Sequence, residues 1–316
     1  MSRHPLLPAR ARRLIGAGVV GAGIFALALA GASAEEAAPR PAIDSAPRKA
    51  AFGKTVVIRG RLENGASGDQ VLLQRSTKSG SWKGVRTAKV DDDLKVRFRL
   101  KGVYESAHYR LHYSGSDGAL SASQTSASSG GVMVRVKPKL TVHVHPGRIM
   151  AGNKVRVEGA LRPQQSGRRV TIKRKSAGEW QTVARPSVRD GRYSARFKAA
   201  HPSRSRVKVV FGGDAANTGA RRKDNLVVYD PDLASWYGPG LYGNRTACGQ
   251  TLGYDTLGVA HRTLPCGTKV GILYRGRSIT VPVIDRGPYG SADWDLTRAA
   301  AARLRFSGHG TVGTIH

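Results

Sequence analysis

The sequence predicts an all-β fold, and three observations support this prediction. Short runs at residues 71–75 and 170–174 are rich in residues that favour strands. Turn-forming pairs such as Asp190-Gly191 separate such runs. The segment that starts at Gly53 returns at Gly152, an offset of 99 residues, which indicates a duplicated domain. A chain of 316 residues has room for both copies and one further domain.

The N-terminal 34 residues are predicted to be a secretory signal peptide. Four arginines precede an uncharged run at residues 14–30, and Ala32-Ser33-Ala34 fits the small-x-small pattern of a cleavage site. We therefore expect cleavage after Ala34, an extracytoplasmic location and no stable membrane span afterwards. The alternative interpretation of this 17-residue run is an uncleaved membrane anchor.

The two copies of the repeat are predicted to be β-sandwiches spanning residues 51–136 and 137–229. Besides the shared glycines, Arg75 matches Arg174 and Trp82 matches Trp180. Each copy holds several short strands in about 90 residues, as sandwiches do. The copies resemble bacterial immunoglobulin-like (Ig-like) domains at the level of the fold.

Two further segments are assigned from composition. Residues 35–50, which are rich in Ala and Pro, are predicted to form a disordered linker. The Tyr-Asp-Pro-Asp stretch at residues 229–232 is predicted to be a hinge that leads into the last domain.

The positive charge of the chain belongs mainly to the repeats. The formal net charge is +31, and residues 36–229 hold 39 basic and 14 acidic side chains, a net +25. The last 87 residues, 230–316, carry only +3. Such a surface attracts anions, and in an exported protein the polyanions at hand are wall polymers. Solubility is the competing explanation, whereas nucleic acid is disfavoured because few aromatic side chains are available to stack on bases.

The C-terminal segment, residues 232–316, carries the most specific motifs. In chain order they read ASWYGPGLYG at 234–243, TACGQ at 246–250, GVAHRTLPCGT at 258–268, VPVIDRGPY at 281–289 and WDLTRAAA at 294–301. This pattern resembles the RlpA-like (rare lipoprotein A) double-psi β-barrel domain. The resemblance implies a six-stranded barrel with a short helix in a secreted, cell-wall-associated protein.

The resemblance also implies a reaction, lytic transglycosylation of peptidoglycan glycan strands. The β-1,4 bond between N-acetylmuramic acid and N-acetylglucosamine is cleaved when the sugar's own 6-hydroxyl attacks, which leaves a 1,6-anhydro product. One carboxyl group can then act as acid and afterwards as base. Asp285 is the candidate, with His261 in support and Tyr237, Gln250 and Arg286 as substrate-binding candidates. The alternative role of Asp285 is to hold the Arg-Gly-Pro turn or to pair with Arg286.

Several residues of this segment are assigned structural roles. Thr297 is expected to cap a helix at residues 298–304, and Asp295 before it is interpreted as structural. Cys248 and Cys266, the only two cysteines, are expected to form a disulfide worth about 3 kcal/mol in an exported protein. No cofactor and no metal site are predicted.

The segment departs from the family pattern at two acidic positions. Gln250 and Gly253 stand where Gram-negative members have Glu and Asp, and Asp255 lies two residues further on. Because Gln cannot donate a proton as a carboxylic acid does, catalysis would rest on Asp285. The alternative function is therefore an expansin-like module that binds wall polysaccharide without cleaving it. A third interpretation is a structural adhesin with a passive barrel.

Overall fold

The computed structural model describes residues 37–77, 81–115, 126–176 and 178–316. Within these ranges the chain forms 23 strands and one short helix, which confirms the all-β prediction. No helix in the described ranges is both long enough and apolar enough to cross a membrane. The predicted signal peptide lies outside the described residues.

The first sandwich consists of two facing sheets. Its strands are β1 (Arg40–Ser45), β2 (Lys49–Ala51), β3 (Lys54–Glu63), β4 (Gln70–Ser76), β5 (Lys83–Lys89), β6 (Lys95–Val103), β7 (Ala107–Tyr113), β8 (Ala127–Ser128) and β9 (Val132–Lys137). One sheet has the order β1-β3-β6 and the other β2-β9-β7-β4-β5, with β8 on β7. Alternation along β3 and β7 buries Ile58 and Leu111 between the sheets.

The second sandwich repeats this arrangement, with β10 and β11 together in the place of β1 and without a counterpart of β8 in the described residues. Its strands are β10 (Lys139–Leu140), β11 (His143–His145), β12 (Arg148–Met150), β13 (Lys154–Arg162), β14 (Thr171–Ser176), β15 (Glu179–Ala184), β16 (Arg192–Lys198), β17 (Ser203–Phe211) and β18 (Ala220–Tyr237). Strands β10 and β11 pair with β13, which pairs with β16, and the facing sheet has the order β12-β18-β17-β14-β15. The duplication predicted from the 99-residue offset therefore extends to sheet topology.

The prediction of a disordered linker at residues 35–50 is wrong for its described part. Strand β1 pairs antiparallel with β3, and β2 pairs parallel with β9, so this segment adds an edge strand to each sheet of the first sandwich. Edge strands are held by main-chain hydrogen bonds, and an edge tolerates the proline at position 41. An Ala- and Pro-rich composition is therefore compatible with this place in the fold.

The C-terminal residues close into a barrel. Its elements after β18 are β19 (Val259–Ala260), β20 (Lys269–Tyr274), β21 (Arg277–Asp285), β22 (Trp294–Thr297), α1 (Arg298–Leu304) and β23 (Gly310–Ile315). The pairing order β18-β22-β19-β21-β20-β23 returns to β18, so six strands form a closed ring. As predicted, the Thr297 hydroxyl caps α1 by accepting a hydrogen bond from the amide of Ala300.

One strand belongs to both the second sandwich and the barrel. The first part of β18 pairs with β17 up to Val228, and residues 230–237 pair with β22 and β23. The hinge predicted at residues 229–232 is therefore wrong, because these residues are strand. Buried Tyr229 packs there against Leu273 and Ile315 of the barrel.

Gly313 permits the close packing at this junction. A Cβ at position 313 would lie 2.7 Å from the Tyr229 Cβ and 3.2 Å from the Met150 Cγ, closer than packed atoms approach. Gly310, on the same strand, has open space around it.

We expect Gly313→Ala to destabilise the protein by about 1–3 kcal/mol, because the new methyl group overpacks the junction. Gly310→Ala is the matched control and should change stability by less than about 0.5 kcal/mol. Thermal unfolding of both variants measures the difference. Equal midpoints for the two variants would contradict the packing described here.

Candidate active site

Asp285 lies at the C-terminal end of β21, where the strand meets the Arg-Gly-Pro turn. Its Oδ1 accepts hydrogen bonds from the amides of Ala247, at 2.8 Å, and of Arg286, at 2.9 Å. Neither bond involves Oδ2, and the residue is half-buried. The main chain of the described residues thus holds one oxygen of this carboxylate in place and makes no hydrogen bond to the other.

A second carboxylate, Asp295, lies on the other side of the short strand β19. Ala260 of β19 pairs with Asp285 on one side and with Asp295 of β22 on the other. Neighbouring strands are about 4.8 Å apart, so the two backbones are separated by about 10 Å. Burial raises the pKa of Asp295 and the Asp285 charge raises it further, while a 2.9 Å hydrogen bond from the Ser235 hydroxyl lowers it.

The assignment of Asp295 as purely structural is therefore incomplete. Its carboxyl group interacts electrostatically with Asp285, and it holds its proton to a higher pH than an exposed aspartate. A pair of carboxyl groups in different environments is a common arrangement for acid–base chemistry.

Tyr237, at the end of β18, lies next to both carboxylates. Its hydroxyl is buried and has no hydrogen bond of normal geometry within the described residues. Burial, and then the charges of Asp285 and Asp295, raise the pKa of Tyr237. The phenol therefore stays protonated at neutral pH, as a donor facing two carboxylates.

His261 is held as a neutral side chain. Its Nδ1 accepts hydrogen bonds from the amides of Thr263, at 3.1 Å, and Leu264, at 3.0 Å, so the proton is on Nε2. Burial, followed by the charges of His316 and Arg262, lowers the pKa of His261. The ring centroid lies 4.4 Å from that of Trp294, and the His261 amide donates to the Asp285 carbonyl. The result is a neutral imidazole with its proton on Nε2, carried by a main chain that is hydrogen-bonded to that of Asp285.

The predicted disulfide is present and supports the site. Cys248 and Cys266 are bonded, with Cα atoms 5.7 Å apart. The bond fixes the loop that carries Ala247, whose amide contacts Asp285. The guanidinium of Arg286 lies against this loop pair, with weak hydrogen bonds to the Cys266 sulfur and to the carbonyls of His261 and Asp285. The Arg286 guanidinium thus donates to two carbonyls and a sulfur and not to a carboxylate, so no Asp285–Arg286 side-chain ion pair forms.

Arg262, which the sequence analysis did not single out, holds the loop that follows Asp285. Its guanidinium donates hydrogen bonds of 2.7 Å to the carbonyls of Pro288, Gly290 and Ala292. The only sequence signal for this role is the position of Arg262 directly after His261. Arg262 is a positioning residue for the Asp285 turn.

The remaining polar candidates form no hydrogen bond with Asp285 or Asp295 in the described residues. Gln250 is exposed, and its contact is a main-chain hydrogen bond from the Thr246 amide to its carbonyl. Asp255 is also exposed and has no hydrogen bond or ion pair within the described residues. The structure does not bring an acid from this loop to the position that Gln250 and Gly253 leave without one.

Exposed aromatic side chains are concentrated in the barrel. Seven large hydrophobic side chains are exposed in the described ranges, and five belong to the barrel: Trp236, Leu241, Tyr242, Tyr254 and Tyr289. Tyr242 and Tyr254 have ring centroids 5.6 Å apart, and the Arg298 guanidinium lies 3.4 Å from the Tyr254 centroid. Exposed rings of this kind suit stacking against sugar faces.

Comparison with known proteins identifies this domain. A family model described as lytic transglycolase matches residues 233–314. The C-terminal domain is an RlpA-like double-psi β-barrel. A probable endolytic peptidoglycan transglycosylase RlpA from Synechocystis is 40% identical over 117 residues, which cover 36% of this chain and 34% of that protein. Endolytic peptidoglycan transglycosylases RlpA of Campylobacter jejuni and Pseudomonas aeruginosa are 43% identical over 83 residues and 45% identical over 84 residues.

The likeness is limited to the RlpA-like barrel and its surroundings. The Campylobacter match covers 25% of this chain and 30% of the relative, and the Pseudomonas match covers 25% and 24%. The chain thus spans about a third or less of the length of these curated relatives. Asp285, His261 and the disulfide all lie inside the matched segment.

We expect Ser235→Ala to raise the pKa of Asp295, because the lost hydroxyl bond is the contact that favours the ionised form. Carboxyl-carbon NMR titration measures the shift, and Ser291→Ala, at an exposed position, is the control. A raised folded-state pKa means that this group contributes stability below its unfolded pKa, and that the contribution is lost as the pH rises through the folded pKa. An unchanged or lowered pKa in Ser235→Ala would contradict the described environment.

Proposed function

We propose that the RlpA-like barrel is a lytic transglycosylase that cleaves peptidoglycan glycan strands at N-acetylmuramic acid–N-acetylglucosamine bonds and leaves 1,6-anhydro ends. The observation that carries the proposal is the interacting pair Asp285 and Asp295 beside a neutral His261. The named activity of the relatives supports the same reaction class.

In this mechanism Asp285 carries both proton transfers. Its Oδ2 donates a proton to the leaving glycosidic oxygen and then takes the proton of the 6-hydroxyl that attacks C1. No water is consumed, because the nucleophile belongs to the substrate. Two interacting carboxyl groups hold one proton more easily than two charges, and burial favours that proton on Asp295 in the resting site. The proton is proposed to pass to Asp285 for the transfer to the glycosidic oxygen, which leaves Asp295 ionised and able to stabilise the positive charge that develops at C1.

Two neutral side chains of the site, His261 and Tyr237, are proposed to act as hydrogen-bond donors beside the carboxyl groups. The Nε2–H of His261 and the hydroxyl of Tyr237 are donors with no competing negative charge of their own. Sugar hydroxyls, or the carboxylates themselves, can accept from them. Arg286 and Arg262 hold the main chain around Asp285, so their contribution is to geometry. Gln250 is proposed to bind glycan from the rim.

The competing function is an expansin-like module that binds wall polysaccharide without cleavage. The observation that favours it is the exposed aromatic set of the barrel together with an exposed amide at Gln250, the position at which the family pattern described above has Glu. Both functions share the binding surface and differ only in whether a bond is broken. The assay below therefore decides between them by product.

The setting of either function is proposed to be extracytoplasmic and wall-associated. The substrate of the relatives' named activity is peptidoglycan, which is found outside the cytoplasmic membrane. The basic sandwiches are proposed to hold the protein on anionic wall polymers.

We expect the full chain, incubated with purified peptidoglycan, to release 1,6-anhydro-muropeptides detectable by mass spectrometry. Asp285→Asn should lower their yield by at least about 100-fold, because the amide cannot transfer a proton. Asp295→Asn should also lower it, by a smaller factor. The full chain is needed because β18 is shared between the second sandwich and the barrel.

The matched control is Asp255→Asn, which removes one exposed carboxylate from the same domain and should leave the yield unchanged. Binding to peptidoglycan without any anhydro product from the unmodified chain would reject the enzyme and favour the expansin-like module. Full activity of Asp285→Asn, with complete loss in Asp295→Asn, would reverse the roles of the two carboxyl groups.

A further inference from the structure

The outer face of one sheet in the second sandwich is densely cationic. Residues that alternate with the buried positions of β14, β17 and β18, together with Arg148 of β12, point outward here. We name this surface the lysine face; its cations are Lys173, Lys175, Arg204, Arg206, Lys208, Arg221, Lys223 and Arg148. Part of it lines an open cavity of about 660 Å³ that includes Arg148, Arg204 and Lys223.

Three lysines form a row across this face. Lys173 pairs directly with Lys208, and Lys208 pairs directly with Lys223 on the next strand. Directly opposed residues of antiparallel strands have Cβ atoms about 4.5–5.5 Å apart, and like charges at such positions destabilise a sheet. Repulsion between these three lysines therefore destabilises the folded sheet, so their placement is not explained by stability.

The row is gathered around one indole. The Lys208 Nζ lies 3.9 Å from the Trp180 ring centroid and the Lys223 Nζ lies 5.4 Å from it. These contacts fix two ammonium groups beside each other. Desolvation, followed by the charges of Lys173, Lys223 and Arg221, lowers the pKa of Lys208, which reports the crowding of positive charge.

The described residues of β12, β14, β17 and β18 place no acidic side chain on this face. Among the described residues of its strands, the acid nearest in register is Asp224, which pairs with buried Val207 and so faces the other way, where it accepts from the Val144 amide. Elsewhere in the sandwiches arginines do find carboxylates, as Arg156 does with Glu158 and Arg168 with Asp214. Among the described residues, the cations of the lysine face therefore have no carboxylate partner in the salt bridges of the sandwich.

The first sandwich shows that the fold does not require this charge. Gln74 and Arg110 occupy the cross-strand positions equivalent to Lys173 and Lys208, and they form a 2.7 Å hydrogen bond. Arg110 lies over Trp82, the counterpart of Trp180, at 4.4 Å. The duplicate thus keeps the cation–indole contact and replaces one lysine of the pair by a neutral partner.

We propose that the lysine face is a binding site for a linear phosphodiester polymer of the cell envelope. This inference rests on the extracytoplasmic setting of the proposed function and adds a defined surface and ligand class to it. Eight cations spread over four strands match phosphates repeated along a chain better than a single anion. The one indole is already covered by Lys208, so it is not free to stack on a base, which argues against nucleic acid.

The test compares two triple variants of the full chain. Lys173→Gln, Lys208→Gln and Lys223→Gln together remove the row. Lys154→Gln, Arg196→Gln and Lys198→Gln remove the same number of exposed charges from the opposite sheet, where Lys154 pairs with Lys198. Fluorescence anisotropy with labelled poly(glycerol phosphate) of about ten units measures binding from 50 to 500 mM salt.

We expect the row variant to bind at least 10-fold more weakly and to lose about two to three units of the salt-dependence slope. The control triple should change the affinity by less than about twofold. The row variant should also unfold at the same or a higher temperature, because like-charge contacts are removed, so weak binding will not reflect misfolding.

Three results would overturn the proposal. Equal loss in both triples would show that overall charge, not this face, attracts the polymer. Tighter binding of single-stranded DNA with the same number of phosphates would assign the face to nucleic acid, and no binding at 50 mM salt would remove the site altogether. None of these results depends on transglycosylase activity, so a failure of the anhydro-product assay is distinguishable from a failure here.

Discussion

A strand of only two residues determines how the barrel closes and where its carboxylates stand. In the described barrel β19 lies between β21 and β22 and pairs with both, and through it the ring of six strands becomes continuous. Because Ala260 pairs on both sides, the end of β21 and the start of β22 are held at the spacing of two inter-strand steps. Asp285 and Asp295 therefore reach one site from segments ten residues apart in sequence, and His261 follows β19 directly into it.

Much of the fold could be predicted from patterns that repeat or match. The duplicated sandwiches follow from the 99-residue offset, and the barrel, its cap at Thr297 and its disulfide follow from ordered motifs. The errors concern β1, β2 and the middle of β18. These segments are held in place by main-chain pairing with strands that are distant in sequence. A local composition rich in Ala, Pro and Asp does not indicate such pairing.

Site residues could be predicted where they belong to a sequence motif. They could not be predicted where their role arises only from packing in the fold. Asp285 and His261 stand in recognisable strings, and the structure brings them into contact through the main chain. Asp295 looks like a helix-preceding residue in sequence, and its raised pKa arises from burial and from a neighbour across β19. Arg262 acts through three carbonyls 26 to 30 residues away, a role that no local pattern records.

The uninterrupted course of β18 has a mechanical meaning. Lys223 and Tyr237 lie on one strand, 14 residues apart, which is about 46 Å of extended chain. Both parts of that strand are paired with neighbouring strands, and Tyr229 is packed at its middle. The strand is therefore a rigid connection and not a flexible one. The distance between a polymer bound at the lysine face and a glycan cleaved in the barrel would then be set by a paired strand and not by a flexible linker.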